Sequence, residues 1–118
     1  MLGMYGDTIK TMQETISLAT SEQFDIVNFA ISAPYPGTEW GKISESNGWL
    51  VDKRWEAYDQ NYSAQVSQPE CSIEDVKKAQ KMAYLRWYLS YRGLRFLAKS
   101  FRPEYLSYFY NTIRDHLR

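Results

Sequence analysis

The stretch FDIVNFAISAPYPGTEWGK, residues 24–42, decides the fold that this sequence predicts. Its first half is almost continuously apolar and rich in β-branched and aromatic residues, which is typical of a strand buried on both faces in a parallel sheet. After Ser32 the chain turns through the PYPG sequence of residues 34–37 into a helix that Thr38 can cap. In a parallel α/β sheet such a turn lies at the carboxyl end of a strand, where ligands bind.

The preceding residues predict a strand end and a crossover helix. Residues 1–4 resemble the end of a strand, and a turn follows at Gly6. Asp7 or Thr8 is available as the N-cap of a helix that runs to about Thr20. Strand, helix and strand form a βαβ unit with parallel strands and a right-handed connection. The apolar face of its helix comprises Ile9, Met12, Ile16 and Ala19.

A parallel βαβ unit needs cover on both faces, and one crossover helix covers only one of them. The second face is covered either by the C-terminal helices or by protein outside this chain. Because the chain begins inside the first predicted strand, we favour the second account and expect a fragment of a larger protein. The open edges of such a truncated sheet favour a homodimer of the fragment.

The rest of the sequence predicts a short helix, a loop and a helical tail, with boundaries at 1–48, 49–71 and 72–118. The short helix ends at Gly48, and aromatic rings dock the loop that follows. Ser72 opens the strongest helix with Asp75 as its capping-box partner, and Gly93 breaks or kinks it. Further helices are expected over residues 94–101 and from Pro103 onward. The residues expected to pack are Trp40 and Ile43 in the short helix, Trp55, Tyr58 and Tyr62 in the loop, Val76, Ala79, Ala83, Trp87, Met82, Leu85 and Leu89 in the strongest helix, and Leu106, Phe109, Ile113 and Leu117 in the last.

The composition of the 118-residue chain is that of an ordinary soluble protein, without an apolar run that could span a membrane or a signal peptide. A single cysteine, Cys71, excludes an internal disulfide and favours a reducing, cytoplasmic location. Residues 1–71 hold four Lys/Arg and ten Asp/Glu, a net −6, whereas residues 72–118 hold ten and four, a net +6. The basic half either packs against the acidic half or faces solvent, or else it binds a polyanionic ligand, nucleic acid or a membrane surface.

Few residues offer chemistry of their own. Gly3 and Gly6 flank a strand-to-helix turn, where glycine lets a ligand approach the backbone, although an ordinary tight turn has the same pattern. Asn28 is polar within the apolar run, so it bonds a neighbouring backbone or points at a ligand. His116 is expected on the surface, and one histidine provides no triad. One thiol cannot hold a zinc ion or an iron–sulfur cluster, so no metal ligand is predicted. The aromatic tail has core spacing and no RNA-binding signature, so no nucleic-acid partner is predicted.

Two stretches together resemble the later half of the catalytic domain of radical S-adenosylmethionine enzymes. They are LGMYGDTIKTMQETI, residues 2–16, and the stretch of residues 24–42. Members of that family commonly carry Gly-x-Pro-Gly-Glu-Thr after one barrel strand and Pro-x-Pro-Gly-Thr after the next. Here the second pattern is PYPGT, residues 34–38, while the first has Tyr5 in place of Pro and Asp7 in place of Glu.

The resemblance implies an α/β fold, a βαβ piece of a partial (β/α) TIM-like barrel followed by a helical C-terminal tail. It implies that the parent enzyme uses a 4Fe–4S cluster to cleave S-adenosylmethionine to a 5′-deoxyadenosyl radical, which abstracts hydrogen from the substrate. The family's Cys-x-x-x-Cys-x-x-Cys motif does not occur in this chain, so the cluster ligands are expected elsewhere in the parent. The implied cofactor-binding residues are Gly3, Gly6, Asp7, Asn28, Ala33 and Pro34.

The continuation through EDVKKAQKMAYLRWYL, residues 74–89, is similar to the tails of the cobalamin-binding branch, which includes the anaerobic magnesium-protoporphyrin monomethyl ester cyclase. This adds cobalamin as a candidate cofactor of the parent and a tetrapyrrole or lipid as its candidate substrate. The leading expectation is a C-terminal fragment of a radical S-adenosylmethionine oxidoreductase or methyltransferase-like enzyme, inactive alone, whose partner is the remainder of that enzyme. The alternative is a stand-alone helical interaction module with a basic aromatic binding face.

Overall fold

The computed structural model describes residues 1–21, 24–61, 63–100, 110–111 and 113–114. Its helices in chain order are α1 (Ile9–Ser21), α2 (Glu39–Ser46), α3 (Ile73–Tyr88) and α4 (Tyr91–Lys99), and a 3-10 turn covers Trp55–Ala57. α3 is the central element, because α1 and α4 both pack against it. No helix in the described ranges is long and apolar enough to cross a membrane.

The predicted strand over residues 24–31, and with it the βαβ piece of a TIM-like barrel, is wrong. The described residues are mostly helical and form three isolated β-bridges but no strand or sheet. One of these bridges is parallel and joins Leu2 to Ile31. The segment is also not buried on both faces, since Phe24 is exposed and the Ile26 side chain is 72% exposed. The homodimer predicted from open sheet edges loses its basis as well.

The reason is that side chains take up the backbone hydrogen bonds that neighbouring strands would have supplied. The buried Gln80 side chain of α3 donates its Nε2 hydrogens to the carbonyls of Phe29, at 2.7 Å, and of Asn61, at 3.0 Å. The Phe29 N–H donates to the Tyr84 hydroxyl at 3.2 Å, and the Ile31 N–H donates to a loop carbonyl at residue 60. Buried backbone groups need partners, and here an extended segment finds them without a sheet.

The core lies where α1 and α3 meet the segment that contains Phe29 and Ile31. Met12 and Ile16 of α1 pack in it as the spacing predicts, but Ile9 of the predicted apolar face of α1 is half exposed. Cys71 is buried in this core with its Sγ 3.9 Å from the Met12 Sδ. Burial, with smaller effects of two carboxylates, raises the pKa of the Cys71 thiol to about 11, so it is a core residue rather than a nucleophile at neutral pH. The buried core residues are Leu2, Met12, Ile16, Phe29, Ile31, Cys71, Val76, Ala83 and Trp87.

The helix starts follow the predicted caps. Thr8 rather than Asp7 caps α1, because its hydroxyl accepts the Thr11 N–H at 3.2 Å. Thr38 caps α2, and Gly48, with φ at +69°, follows the end of that helix. Ser72 caps α3 in a complete capping box with Asp75.

The apolar face of α3 is narrower than predicted. Val76, Ala83 and Trp87 are buried as expected, whereas Met82, Leu85 and Leu89 are exposed. Met82 is partly exposed because it lines the open groove between α1 and α3.

The break near Gly93 comes earlier than predicted. α3 ends at Tyr88, and Ser90 caps α4 by accepting the Gly93 N–H at 3.2 Å. A Cβ at Gly93 would collide with the Trp87 carbonyl, so glycine permits the close approach of the two helices. The helix predicted from Pro103 falls largely outside the described residues, as do Tyr62, Leu106, Phe109, His116 and Leu117; of that helix, residues 110, 111, 113 and 114 are described and are helical.

Replacing Ser72 by Ala tests the capping box of α3. The change removes the acceptor of the Asp75 N–H and a donor to the Asp75 carboxylate, at 3.2 and 2.7 Å. We expect the free energy of unfolding to fall by about 1 kcal/mol. Urea denaturation followed by far-ultraviolet circular dichroism measures it, and Ser46→Ala, which lies beyond the first turn of α2, is the control. A loss equal to that of the control would contradict the assignment.

The same box predicts an acid-dependent loss of stability. Hydrogen bonds from Ser72 hold the pKa of Asp75 below its ordinary value of 3.8. Because the folded pKa lies below the unfolded one, the stabilisation is complete above pH 3.8 and is lost as the pH falls through the folded pKa. The Asp75→Asn variant should therefore lose less stability than the parent chain over that pH range. Parallel acid titration curves for the two proteins would disprove this.

Candidate cofactor-binding site

One backbone pairing brings the two motif stretches together. The Leu2 N–H donates to the Ala30 carbonyl at 2.9 Å, and the Ser32 N–H donates to the Leu2 carbonyl at 2.8 Å. The glycine turn that begins at Gly3 therefore leaves this pairing on the same side as the Ala33–Pro34 turn. The two motif turns thus leave a single parallel bridge and not the edge of a sheet.

The structure requires or permits glycine at the two positions of the first motif for different reasons. Gly3 has φ at +75°, and a Cβ there would lie 3.0 Å from a Val76 methyl group, so α3 occupies the space that glycine leaves. Gly6 has φ at +80°, and no described atom lies within 4 Å of the position of its Cβ. Gly6 is thus the glycine with open space for a ligand, whereas Gly3 serves packing.

Gln68 holds the glycine turn in place. Its Oε1 accepts the Gly6 N–H at 3.0 Å, and its Nε2 donates to the Met4 carbonyl at 2.8 Å. The side chain is buried, and the backbone of Gln68 pairs with Cys71. The sequence gives no signal for this role, because Gln68 lies in an aperiodic loop far along the chain from the turn that it binds.

Asp7 is used within its own turn. Its Oδ2 accepts the Met4 N–H at 2.9 Å, and its Oδ1 accepts the Thr11 hydroxyl at 2.7 Å. Both carboxylate oxygens therefore stabilise the turn and the start of α1. A carboxylate at this position shapes the backbone that faces the site, and the shorter Asp achieves this where the family usually has Glu.

Asn28 does not lie inside a buried strand but on the surface. Its Oδ1 accepts the Tyr84 hydroxyl at 2.7 Å, which ties the segment to α3. Within the described part of the chain its Nδ2 has no hydrogen-bond partner, so the amide nitrogen is the donor that it can offer to a ligand. Asn28 thus bonds a side chain of α3 rather than a neighbouring backbone, and its contact with a ligand stays a prediction.

The second motif is rigid because α2 packs directly against it. Pro34 is fully buried and Ala33 is partly buried. The Thr38 hydroxyl donates to the Tyr35 carbonyl at 2.6 Å and accepts the Gly41 N–H at 3.0 Å. A Cβ at Gly41 would collide with the Tyr35 carbonyl oxygen, so this helix position requires glycine. The turn and the start of α2 form one unit.

Tyr5, which replaces the family's usual proline, packs on aromatic rings. Its ring centroid lies 5.8 Å from that of Trp40 and 6.2 Å from that of Trp49. The Trp40 Nε1 is buried and has no hydrogen-bond partner among the described residues. The Tyr5 ring thus joins the glycine turn to α2 and to the loop after it.

Outside the two motifs, ligands could bind in a groove between helices, at a cluster of metal-ligating side chains or on the basic tail. A groove of about 460 Å³ between α1 and α3 has an apolar floor that includes Met12 and Ile16, and it contains none of the six predicted cofactor residues. No group of three or more His, Cys, Asp or Glu residues within the described ranges is placed to hold a metal ion. The basic tail buries Trp87 but exposes Tyr91 and Leu94 on α4, so its predicted binding face stays a prediction.

The chain is similar to an uncharacterized methyltransferase of Pyrococcus horikoshii. The two are 26% identical over 89 residues, which cover 75% of this chain and 19% of that protein. The chain thus spans about a fifth of the length of the relative that it matches. No protein-family model and no solved structure matches the chain.

Two variants of Gln68 test its hold on the glycine turn. Gln68→Leu removes both hydrogen bonds and should lower the free energy of unfolding by about 2 kcal/mol. Gln68→Glu with an ionised carboxyl keeps an acceptor for the Gly6 N–H but loses the donor to the Met4 carbonyl, whereas the protonated carboxyl has an O–H that can donate there, so the loss should be smaller at a pH where the carboxyl is neutral. Chemical denaturation gives the energies, and amide hydrogen exchange at Gly6 gives the local effect. Unchanged exchange at Gly6 in both variants would refute the assignment.

Gly41→Ala tests the contact between α2 and the second motif. Glycine to alanine inside a helix ordinarily stabilises a protein by about 1 kcal/mol. Here the added Cβ meets a backbone carbonyl, so we expect destabilisation by about 2 kcal/mol. Thermal unfolding reports the sign, and Ser46→Ala in the last turn of the same helix provides the comparison. A rise in the melting temperature would show that the turn can move away from α2.

Proposed function

We propose that this chain is part of a radical S-adenosylmethionine enzyme, of oxidoreductase or methyltransferase type, and contributes part of the cofactor site. The observation that carries the proposal is the direct pairing of Leu2 with Ile31. Because this pairing is parallel, the chain leaves it in the same direction toward the turn around Gly6 and toward the turn at Ala33 and Pro34, which are the two motifs of the family resemblance. Neither motif is specific alone, and their adjacency is what a shared ligand requires.

The similarity to a methyltransferase supports the broader half of the proposal. S-adenosylmethionine is the common methyl donor in biology, so a methyltransferase-like relative is compatible with a site for it. The radical type rests on the motif resemblance alone. The proposal assigns no reaction to this chain by itself, since the chain matches only 19% of the length of the relative.

The site residues fit the cofactor in distinct ways. Open space over Gly6 allows a ligand to approach the backbone, and Asp7 keeps that turn in shape. The Asn28 amide nitrogen is exposed and offers a hydrogen-bond donor for a heterocycle. Ala33, which is partly exposed, supplies a small apolar contact for the flat face of an adenine, while the buried Pro34 fixes the backbone of the turn behind it. Gly3 is the exception, because its free space is filled by Val76.

The residues of this chain do not fit an iron–sulfur cluster. Such clusters need several cysteine thiolates, and the chain has one cysteine, which is buried and protonated at neutral pH. In our proposal the cluster, and cobalamin if the parent uses it, bind to other parts of the parent enzyme. When bound, S-adenosylmethionine supplies either a methyl group for transfer or, after its reductive cleavage, the group that abstracts hydrogen from the substrate. This chain contributes the shape and hydrogen bonding of one edge of its site.

The test uses the full-length protein that contains this chain. After anaerobic reconstitution with iron and sulfide, the protein is incubated with S-adenosylmethionine and a strong reductant, and the nucleoside products are separated. We expect 5′-deoxyadenosine. Formation of S-adenosylhomocysteine without 5′-deoxyadenosine would contradict the radical mechanism but would still agree with methyltransferase activity. Neither product, together with no binding of S-adenosylmethionine in equilibrium dialysis, would end the proposal.

A matched pair of variants tests the part played by this chain. Ala33→Leu adds bulk where the cofactor would lie, and should raise the dissociation constant of S-adenosylmethionine at least about tenfold, the effect of about 1.4 kcal/mol. Ala98→Leu makes the same chemical change on the exposed surface of α4 and should leave binding unaltered. Equal affinities for the two variants would place the cofactor away from residue 33.

A further inference from the structure

Three aromatic rings form a continuous surface next to the second motif. The ring centroids of Tyr35 and Tyr58 lie 5.6 Å apart with planes inclined by 24°, and those of Tyr58 and Trp55 lie 5.6 Å apart with planes inclined by 55°. The Tyr35 hydroxyl donates to the Tyr58 carbonyl at 3.3 Å, which fixes the first pair. We call these three side chains the aromatic shelf.

The shelf ends in a ring that is open to solvent. The Trp55 side chain is 74% exposed, whereas Trp87 is buried and the other two tryptophans are partly buried. The sequence led us to expect Trp55 to dock the loop, and the structure shows that it does not. Removing so large an apolar ring from water is strongly favourable. A flat ligand that stacks on the exposed face of Trp55 would therefore gain free energy by covering it.

The backbone under the shelf is well held. Trp55 begins a 3-10 turn in which the Ala57 N–H donates to the Arg54 carbonyl at 3.0 Å, and Ala57 itself is buried. The Arg54 guanidinium is tied to the Asp52 carboxylate, with Nη2 and Oδ2 2.7 Å apart. The rings are therefore presented by a fixed segment, which lowers the entropic cost of binding.

The neighbouring charges select the kind of ligand. Asp52 is paired with Arg54, and Lys53 is paired with Glu45. With Glu56 and Asp59 included, these side chains comprise four carboxylates and two cations, a net charge of −2 around the segment that carries the rings. A polyanion, such as nucleic acid or an anionic lipid surface, is repelled here, whereas a neutral or cationic flat ring is accommodated.

We propose that the aromatic shelf binds a small molecule through a flat conjugated ring, neutral or cationic, which stacks on Trp55. Tyr35 directly follows Pro34, so the shelf starts at the turn assigned to the cofactor. In the enzyme proposed above, the ring belongs to the substrate, and this role rests on that proposed function. Stacking on Trp55 itself depends only on the shelf.

The experiment uses the complete 118-residue chain and four probes. Caffeine is the neutral flat probe, 1-methylnicotinamide the cationic one, adenosine monophosphate the anionic one, and cyclohexanol a saturated apolar control. Ligand-observed nuclear magnetic resonance gives the dissociation constants. Caffeine and 1-methylnicotinamide should bind with upfield ring-current shifts, adenosine monophosphate more weakly and cyclohexanol not measurably. Equal binding of caffeine and cyclohexanol would show plain hydrophobic docking and overturn the proposal.

Variants of Trp55 separate stacking from apolar contact. Trp55→Leu keeps an apolar side chain but loses the π face, so the dissociation constant of caffeine should rise about tenfold, equivalent to about 1.4 kcal/mol. Trp55→Phe should change it by less than about threefold, since a ring remains. Leu89→Ala removes an exposed apolar side chain at the end of α3 and is the matched control. Because Trp55 is exposed, circular dichroism should show that all three variants fold.

Failure of the aromatic shelf to bind a ring can be distinguished from failure of the proposed function in the cofactor assay. If Trp55→Leu binds caffeine as the parent chain does, the shelf is not a ligand site, whatever the full-length enzyme does with S-adenosylmethionine. Sedimentation with anionic vesicles that depends on Trp55 would also overturn the proposal in favour of a membrane contact. If the shelf binds as expected but no cofactor product forms, the shelf remains a ring-binding site and only its role as a substrate site is lost.

Discussion

The candidate site depends on one backbone pairing, between Leu2 and Ile31. Two hydrogen bonds across it join the start of the chain to a segment nearly thirty residues later, and both side chains are buried. The pairing buries Leu2 against the core and fixes where the glycine turn begins. A change that separated these two segments would move both motif turns at once. The core and the site are therefore stabilised by the same contact.

Side-chain amides replace the neighbouring strands that such a pairing ordinarily has. Gln80 satisfies two carbonyls on different segments, and Gln68 satisfies both a donor and an acceptor on the glycine turn. Gln65 is also buried and donates its Nε2 hydrogen to the Asp52 carbonyl, while its Oε1 has no partner among the described residues. A buried amide is costly unless it is hydrogen-bonded, so each glutamine permits few alternative arrangements. The result is an irregular but specific packing of loops on α3.

The sequence predicts the local features of this structure well and the long-range ones poorly. The N-caps at Thr38 and Ser72 are predicted correctly because helix capping depends on only a few adjacent residues. The strand predicted over residues 24–31 is wrong because an apolar, β-branched run is equally compatible with a strand and with an extended segment whose backbone is hydrogen-bonded by side chains. What decides between them is the number of backbone partners, and Gln80 and Tyr84 lie more than fifty residues away. The anchoring role of Gln68 was hidden for the same reason.

The predicted site residues separate into those that shape the site and those that can touch a ligand. Asp7 stabilises the turn and Gly3 packs against α3, while Gly6 has open space beside it and Asn28 has an amide nitrogen that can donate. Motif resemblance identifies the first group more readily, because the backbone shape of a turn demands particular residue types. Ligand contacts depend on exposure, which only the folded chain reveals. Trp55 illustrates the point, since its spacing from Tyr58 predicts packing, yet its ring is the one that stays in solvent.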